Sequence, residues 1–371
     1  MRYRTLLSGV ALATLALTVS ACASGTSGTS GGTPAAGAGA NAANVTGAGG
    51  SAGTAVTAAQ ARQVFDSYVS ATASALAGGD KKAALALTTG VQSDTVTAQF
   101  EAAAYTHAKL SSYQYGTPVF YRPALTSYPQ WFVASVPRTA PAAPAPASTA
   151  GVQLSTRGQA LLVFSKAGPG SPWLLASSVQ LAPGQSLPTL AESANGDAES
   201  VPLDNSTTLA EPQVTGPLQA AVVDDGPASA AMRAVAAGPL TTGIYAYQDH
   251  PAARYAAPSG DVRQWALEGS NYATFALRTA DGGALVLYAM YLNTIVETPS
   301  VADEDSQYTP GPPIAIPPEF APLLPASTTS PKYSLETQFA LAFAAVDPPS
   351  ATASAKISVV AMGGGPNWAN T

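Results

Sequence analysis

Few residues of this 371-residue chain carry reactive side chains, and the sequence holds one cysteine and two histidines. Cys22 offers a single thiol, which can be a nucleophile or an attachment point but cannot form an internal disulfide or a cysteine-rich metal site. His107 lies on the apolar side of a helical pattern. Beside a carboxylate such as Asp66 or Glu101 it would make a proton-transfer centre, with the imidazole as acid or base and the acid group orienting it. The same histidine hydrogen-bonded to a neighbour would be purely structural. His250 follows Asp249 and precedes Pro251, a loop placement, and two distant histidines do not supply the usual histidine-rich zinc set. Asp303-Glu304-Asp305 and Asp224-Asp225 offer oxygen ligands but lack the alternating acids and glycine of a calcium loop, so both read as solvated acidic loops. Gly-x-Ser-x-Gly occurs only within the Gly/Ser-rich stretch 22–56, not as an elbow between a strand and a helix, and no glycine-rich run precedes a Lys-Ser/Thr pair. No cofactor or metal is implied.

The surroundings of Cys22 are more telling than the thiol. Arg2 and Arg4 give a basic start, Leu6 to Val19 is an uncharged, mostly apolar run, and small Ser20 and Ala21 precede the cysteine. Those are the regions of an export signal, and the apolar core falls short of the roughly 20 residues that span a bilayer. Leu17-Thr18-Val19-Ser20-Ala21-Cys22 resembles a bacterial lipobox. The resemblance implies cleavage after Ala21 and a diacylglyceryl group on Cys22, placing the mature protein on the extracytoplasmic side of the cell membrane. Two acyl chains give stable attachment.

Loss of Arg2 and Arg4 with the signal leaves 14 basic residues against 22 acidic, a net charge of −8, which argues against a nucleic-acid partner. Residues 22–56 begin with the cysteine and continue almost wholly as Gly, Ala, Ser, Thr and Asn. Such a composition buries too little apolar surface to offset its ordering entropy, so it reads as a flexible tether of about 30 Å.

Elements that would position the reactive residues begin at Thr57. Thr57 and Gln60 have capping-box spacing, and Ala61, Val64, Phe65, Tyr68, Val69, Thr72 and Leu76 form one helical face that stops at Gly78-Gly79. Asp80 caps a short second helix. A third starts near Ser93 or Asp94, with Val96, Phe100, Ala103, His107 and Leu110 on one side. Strands are expected at 113–121, 131–138, 159–166 and 173–181, and residues 140–150 read as an extended Ala/Pro loop. After a Pro/Ser-rich linker at 184–216, helical composition returns at 218–223 and 228–237. Further strands are expected at 240–247, 271–279, 284–296, 332–346 and 356–362, with Asp281-Gly282-Gly283 as a tight hairpin turn and Gly363-Gly364-Gly365 as a terminal turn.

Helices followed by antiparallel strands, twice over, is an α+β layout of two units, 57–183 and 217–371. The first unit resembles the cystatin-like cone of nuclear transport factor 2-like proteins, whose aromatic-lined inner face is here read as filled core. The second half, from Tyr272 through Ile357 to Pro366, resembles the C-terminal region of actinobacterial lipoproteins with no assigned activity. The sequence reading is therefore a lipid-anchored binding or scaffold protein of the cell envelope. Its expected partners are the membrane, an envelope protein or a small apolar ligand. The alternative is a pocket enzyme or carrier built on the first unit, with His107, Asp66 and Glu101 in its pocket.

Overall fold

The computed structural model describes residues 53–141, 150–249, 262–298, 301–302, 308–309, 313–352 and 354–371. Helix α1 (Ala58–Gly78) starts where both capping-box bonds are made: the Thr57 hydroxyl accepts from the Gln60 N–H at 3.2 Å, and Gln60 Oε1 accepts from the Thr57 N–H at 2.9 Å. It ends at Gly79 in the left-handed conformation. Asp80 caps α2 (Lys81–Leu85), and α3 (Val91–Thr106) follows from Gly90. Ala61 and Phe65 of α1 are buried against Phe132, Ala134, Val136, Leu162 and Phe164.

Those partners belong to β3 (Gln130–Thr139) and β4 (Arg157–Lys166), which with β1 (Gln114–Tyr115), β2 (Val119–Tyr121) and β5 (Leu174–Leu181) make the first part of the sheet. The chain then passes through α4 (Thr215–Asp225) and α5 (Thr242–Asp249) to β6 (Val262–Gly269), β7 (Phe275–Arg278), β8 (Ala284–Glu297), β9 (Val301–Ala302), β10 (Tyr308–Thr309), β11 (Ser334–Asp347) and β12 (Ser358–Asn370). Strand order is β1-β3-β4-β5-β12-β11-β8-β6, with β2 also on β3 and β7 on β8, and every ladder is antiparallel. Side-chain alternation divides the core accordingly. Odd-numbered residues of β3 (Trp131, Val133) and of β8 (Leu285, Leu287) share one cluster, while Tyr288, Met290 and Leu292 of β8 pack in another with Val222 and Val223 of α4. The sheet curls enough for Trp131 of β3 to meet Phe275 of β7, ring centroids 5.3 Å apart.

Helices with one large antiparallel sheet, mostly sheet, agree with the α+β class. The expected pair of separate sheets is corrected. Ala361 and Met362 of β12 pair with Leu181 and Gln180 of β5, so strands from both halves form one sheet. The expected linker at 184–216 is also corrected. Composition masked its role: Leu190, Ala198 and Val201 are buried, Arg122 reaches Asp197 at 3.2 Å, and Arg278 reaches Glu199 at 3.3 Å, so it bonds to both halves. The tether's last residues are held as well, since Gly53 donates to Thr126 at 2.6 Å and Val56 is buried.

Three local expectations change. Residues 240–247 are aromatic and β-branched, yet 242–249 is helical. Burial of Ile244 and Gln248, one turn apart against α4, outweighs intrinsic strand preference. Strand β6 went unread. Gly363-Gly364-Gly365 is not a terminal turn: β12 runs through it to Asn370, because a side chain at Gly363 or Gly364 would collide with the backbone of the flanking strands. The hairpin at 281–283 forms as expected, the Thr279 N–H donating to Gly283 O at 3.0 Å.

Candidate functional site

Alternation along β3 sends Phe132, Ala134, Val136 and Arg138 to the side covered by α1. A guanidinium therefore ends an otherwise apolar row. Arg138 is 7 % exposed. Its Nε donates to Gln180 Oε1 at 2.9 Å, its Nη1 to Ser178 Oγ at 2.8 Å, and its charge lies 4.4 Å from the centre of the Tyr113 ring. Gln180 is itself oriented, its Nε2 donating to Ser155 O at 2.6 Å. Gly158, opposite Arg138 in the ladder, has no side chain because a Cβ there would come within 2.8 Å of that amide.

All these partners are neutral. No carboxylate pairs with Arg138 among the described residues, and Nη2 makes no hydrogen bond to them. A buried charge with only neutral partners keeps much of its desolvation cost, and an anion would offset it. Beside Arg138 lies a cavity of 220 Å³ whose walls include Gln92 and Thr95 of α3, Tyr113, Ser155 and the backbone of Gly363-Gly364. A smaller chamber of 50 Å³ adjoins it, sharing Gln92, Tyr113 and Ser178 and continuing between α1, α2, α3 and β5. Tyr68 and Tyr115 line that chamber. Burial pushes the Tyr68 hydroxyl up to about 12 and Tyr115 upward as well, while the nearby Arg138 charge pulls both down. Both phenols are thus neutral at physiological pH. Among the described residues the walls carry hydroxyls, amides and one permanent cation, without a histidine or carboxylate to move a proton. Such a set binds and orients.

The sequence-predicted residues lie elsewhere. His107 is the exposed residue that ends α3, in the left-handed conformation at φ 54°, and so does not continue the helix's apolar face. Glu101 pairs with Lys81 at 2.5 Å near the surface, and Asp66 is on the exposed side of α1. The three are not assembled into a pocket. Asp224 accepts the Leu267 N–H at 2.8 Å and helps hold β6, while Asp249 is exposed at the end of α5. Cys22, Ala21, His250, Asp303-Glu304-Asp305 and residues 142–149 of the expected loop lie outside the described residues. Among the described residues no group of three or more His, Cys, Asp or Glu could hold a metal, and no helix is long and apolar enough to cross a membrane.

Asp94 has a role that its sequence gave no sign of. Tyr272 donates to its Oδ2 at 2.5 Å and receives a 2.9 Å bond from Tyr291 of β8, which ties α3 to the second half of the chain. Burial holds Asp94 above the usual carboxylate range, with the Tyr272 bond acting against it. Arg138, by contrast, was within reach of sequence reasoning. Period-two alternation from Phe132 places it among buried residues, and an arginine in that row needs a partner.

No curated protein and no solved structure matches the chain. A family model, described as a domain of unknown function (DUF8094), matches residues 52–363, beginning beside the first described residue and spanning both halves of the sheet. The chain therefore belongs to the DUF8094 family, and Arg138 and its cavity lie within the family's domain.

Proposed function

We propose that this protein is a lipid-anchored, extracytoplasmic binding protein of the cell envelope that takes a small anionic ligand beside Arg138. The observation that carries the binding role is a guanidinium 7 % exposed, facing a 220 Å³ cavity, with only neutral partners among the described residues. Exposure of His107 favours this reading over the proton-transfer alternative. The cone-like reading of the first half draws support from α1 packing on β3 and β4. The anchor rests on the lipobox-like stretch ending at Cys22.

Two measurements test these parts separately. Native mass spectrometry of the full chain, extracted in mild detergent from its own envelope, is expected to show a retained small anion that is lost in Arg138→Gln. An empty protein that also fails to take up added anions would overturn the binding role. Cys22→Ala is expected to move the protein from the membrane fraction to the aqueous phase and to remove the acyl mass from the N-terminus. Unchanged membrane partition would overturn the anchor.

A further inference from the structure

Resting on the anion-binding reading, we infer that the ligand is a short-chain monocarboxylate whose head pairs with Arg138 and whose chain enters the 50 Å³ chamber beneath α1–α3.

Charge decides the head group. Among the described residues the cavity walls hold one cation, Arg138, and no lysine or second arginine. One guanidinium matches a monoanion, whereas a phosphate dianion would retain a charge without a partner. The planar fork of a guanidinium also suits a carboxylate, and Nη2 is the nitrogen without a protein partner among the described residues. Ser178 Oγ and the Tyr113 ring already fix the guanidinium plane, so little order remains to be imposed when the anion arrives.

Size and wall chemistry decide the chain. The inner chamber reaches from the shared residues Gln92, Tyr113 and Ser178 to Val69, Leu76, Ala84 and Val96 on the helices and Leu175 on the sheet. A water-sized group needs about 10–15 Å³ of such volume, so 50 Å³ admits roughly three to five methylene-sized groups. The remaining walls are hydroxyls and amides, including Thr88, Ser111 and Gln99, which suit a chain of limited length better than a long acyl tail. Six carbons, with one at the head and one at the junction, fill the space.

Isothermal titration calorimetry on the full chain in detergent tests this with sodium chloride, acetate, butyrate, hexanoate and neutral hexanamide. Affinity is expected to rise about fourfold per methylene from acetate to hexanoate. Hexanamide should bind at least 20-fold more weakly than hexanoate, and Arg138→Gln should abolish that difference. Ala84→Leu, which fills the chamber, should lower hexanoate affinity to that of acetate, with an unchanged far-UV circular dichroism spectrum reporting that the variant is folded. If chloride and acetate bind as tightly as hexanoate, the chain chamber is wrong while the anion site stands. If hexanamide equals hexanoate, the head assignment to Arg138 fails. Should no anion bind the native protein, both this inference and the binding role fall; the length series on the native chain requires no variant to fold.

Discussion

Gly363→Val is expected to cost about 4 kcal/mol or more of unfolding free energy, enough to leave the chain largely unfolded or insoluble. A Cβ at residue 363 would lie 2.0 Å from Ser178 O, 3.0 Å from its carbonyl carbon and 3.2 Å from the Val179 Cα, all backbone atoms of β5. Backbone in a ladder cannot rotate aside as a side chain can, so the seam between β5 and β12 must open. That seam is narrow, with two residue pairs, Ala361 with Leu181 and Met362 with Gln180, and the Ala182 N–H donating to Val360 O at 2.9 Å. Opening it separates the two halves of the sheet and also disturbs the wall of the Arg138 cavity. Gly365→Ala is the matched control, since nothing lies within 4 Å of its added Cβ and its φ is ordinary. It should change stability by less than about 1 kcal/mol. Urea denaturation followed by tryptophan fluorescence separates the outcomes; a native-like midpoint for Gly363→Val would show that the β5–β12 junction does not hold the sheet together.

Asp347→Asn is expected to stabilise the protein at neutral pH. Asp347 ends β11 with 0 % exposure; its Oδ1 accepts the Ala210 N–H at 3.4 Å, and its Oδ2 has no partner among the described residues. Burial raises its pKa from 3.8 to about 6, with the Ala210 N–H acting in the opposite direction. A folded state with the higher pKa holds its proton more tightly than the unfolded chain. The carboxyl is therefore least costly below pH 3.8, stability falls as pH climbs from 3.8 to about 6, and the loss is complete above that. The shift corresponds to about 3 kcal/mol at pH 7. The asparagine variant should gain on the order of 1–3 kcal/mol at pH 7, nothing at pH 3.5, and lose the native protein's decline between pH 4 and 6. Urea midpoints across that range check it, and equal slopes for the two proteins would show that Asp347 titrates in the fold as it does in the unfolded chain, as a carboxylate reached by water would.

The positions of these two residues show what could be read in advance. Asp281-Gly282-Gly283 announced a hairpin because the turn needs Gly282 at φ 93°, a demand that is local. Gly363 makes an equally strict demand, but its reason lies in β5, some 180 residues earlier, and from composition alone three glycines after a strand read as an ending. The buried acid at Asp347 is likewise invisible, since it directly follows the strand expected at 332–346 and precedes Pro348-Pro349, where nothing local distinguishes it from a solvated turn residue. Residues 240–247 were misread because short aromatic and β-branched runs suit either helix or strand, and packing of Ile244 on α4 decided between them.

The candidate site divides along the same line. His107, Asp66 and Glu101 were grouped by residue type and by an assumed continuation of α3, which stops at Thr106. Arg138 was legible as a buried position from the alternation of β3, but not as a site. Its significance lies in which groups surround it, and Ser178, Gln180 and Tyr113 come from a strand about 40 residues later and a segment 25 residues earlier.

By itself the sequence determined the helices α1 and α2 through their caps, most strands through period-two alternation, the α+β class and the net charge, because each depends on a residue and its near neighbours. Tertiary structure alone decided that the halves share one sheet, that the segment 184–216 is bonded to both, and that Arg138 has no acid beside it among the described residues. Those outcomes depend on which distant strands pair and in what register, and a local pattern serves many partners equally well.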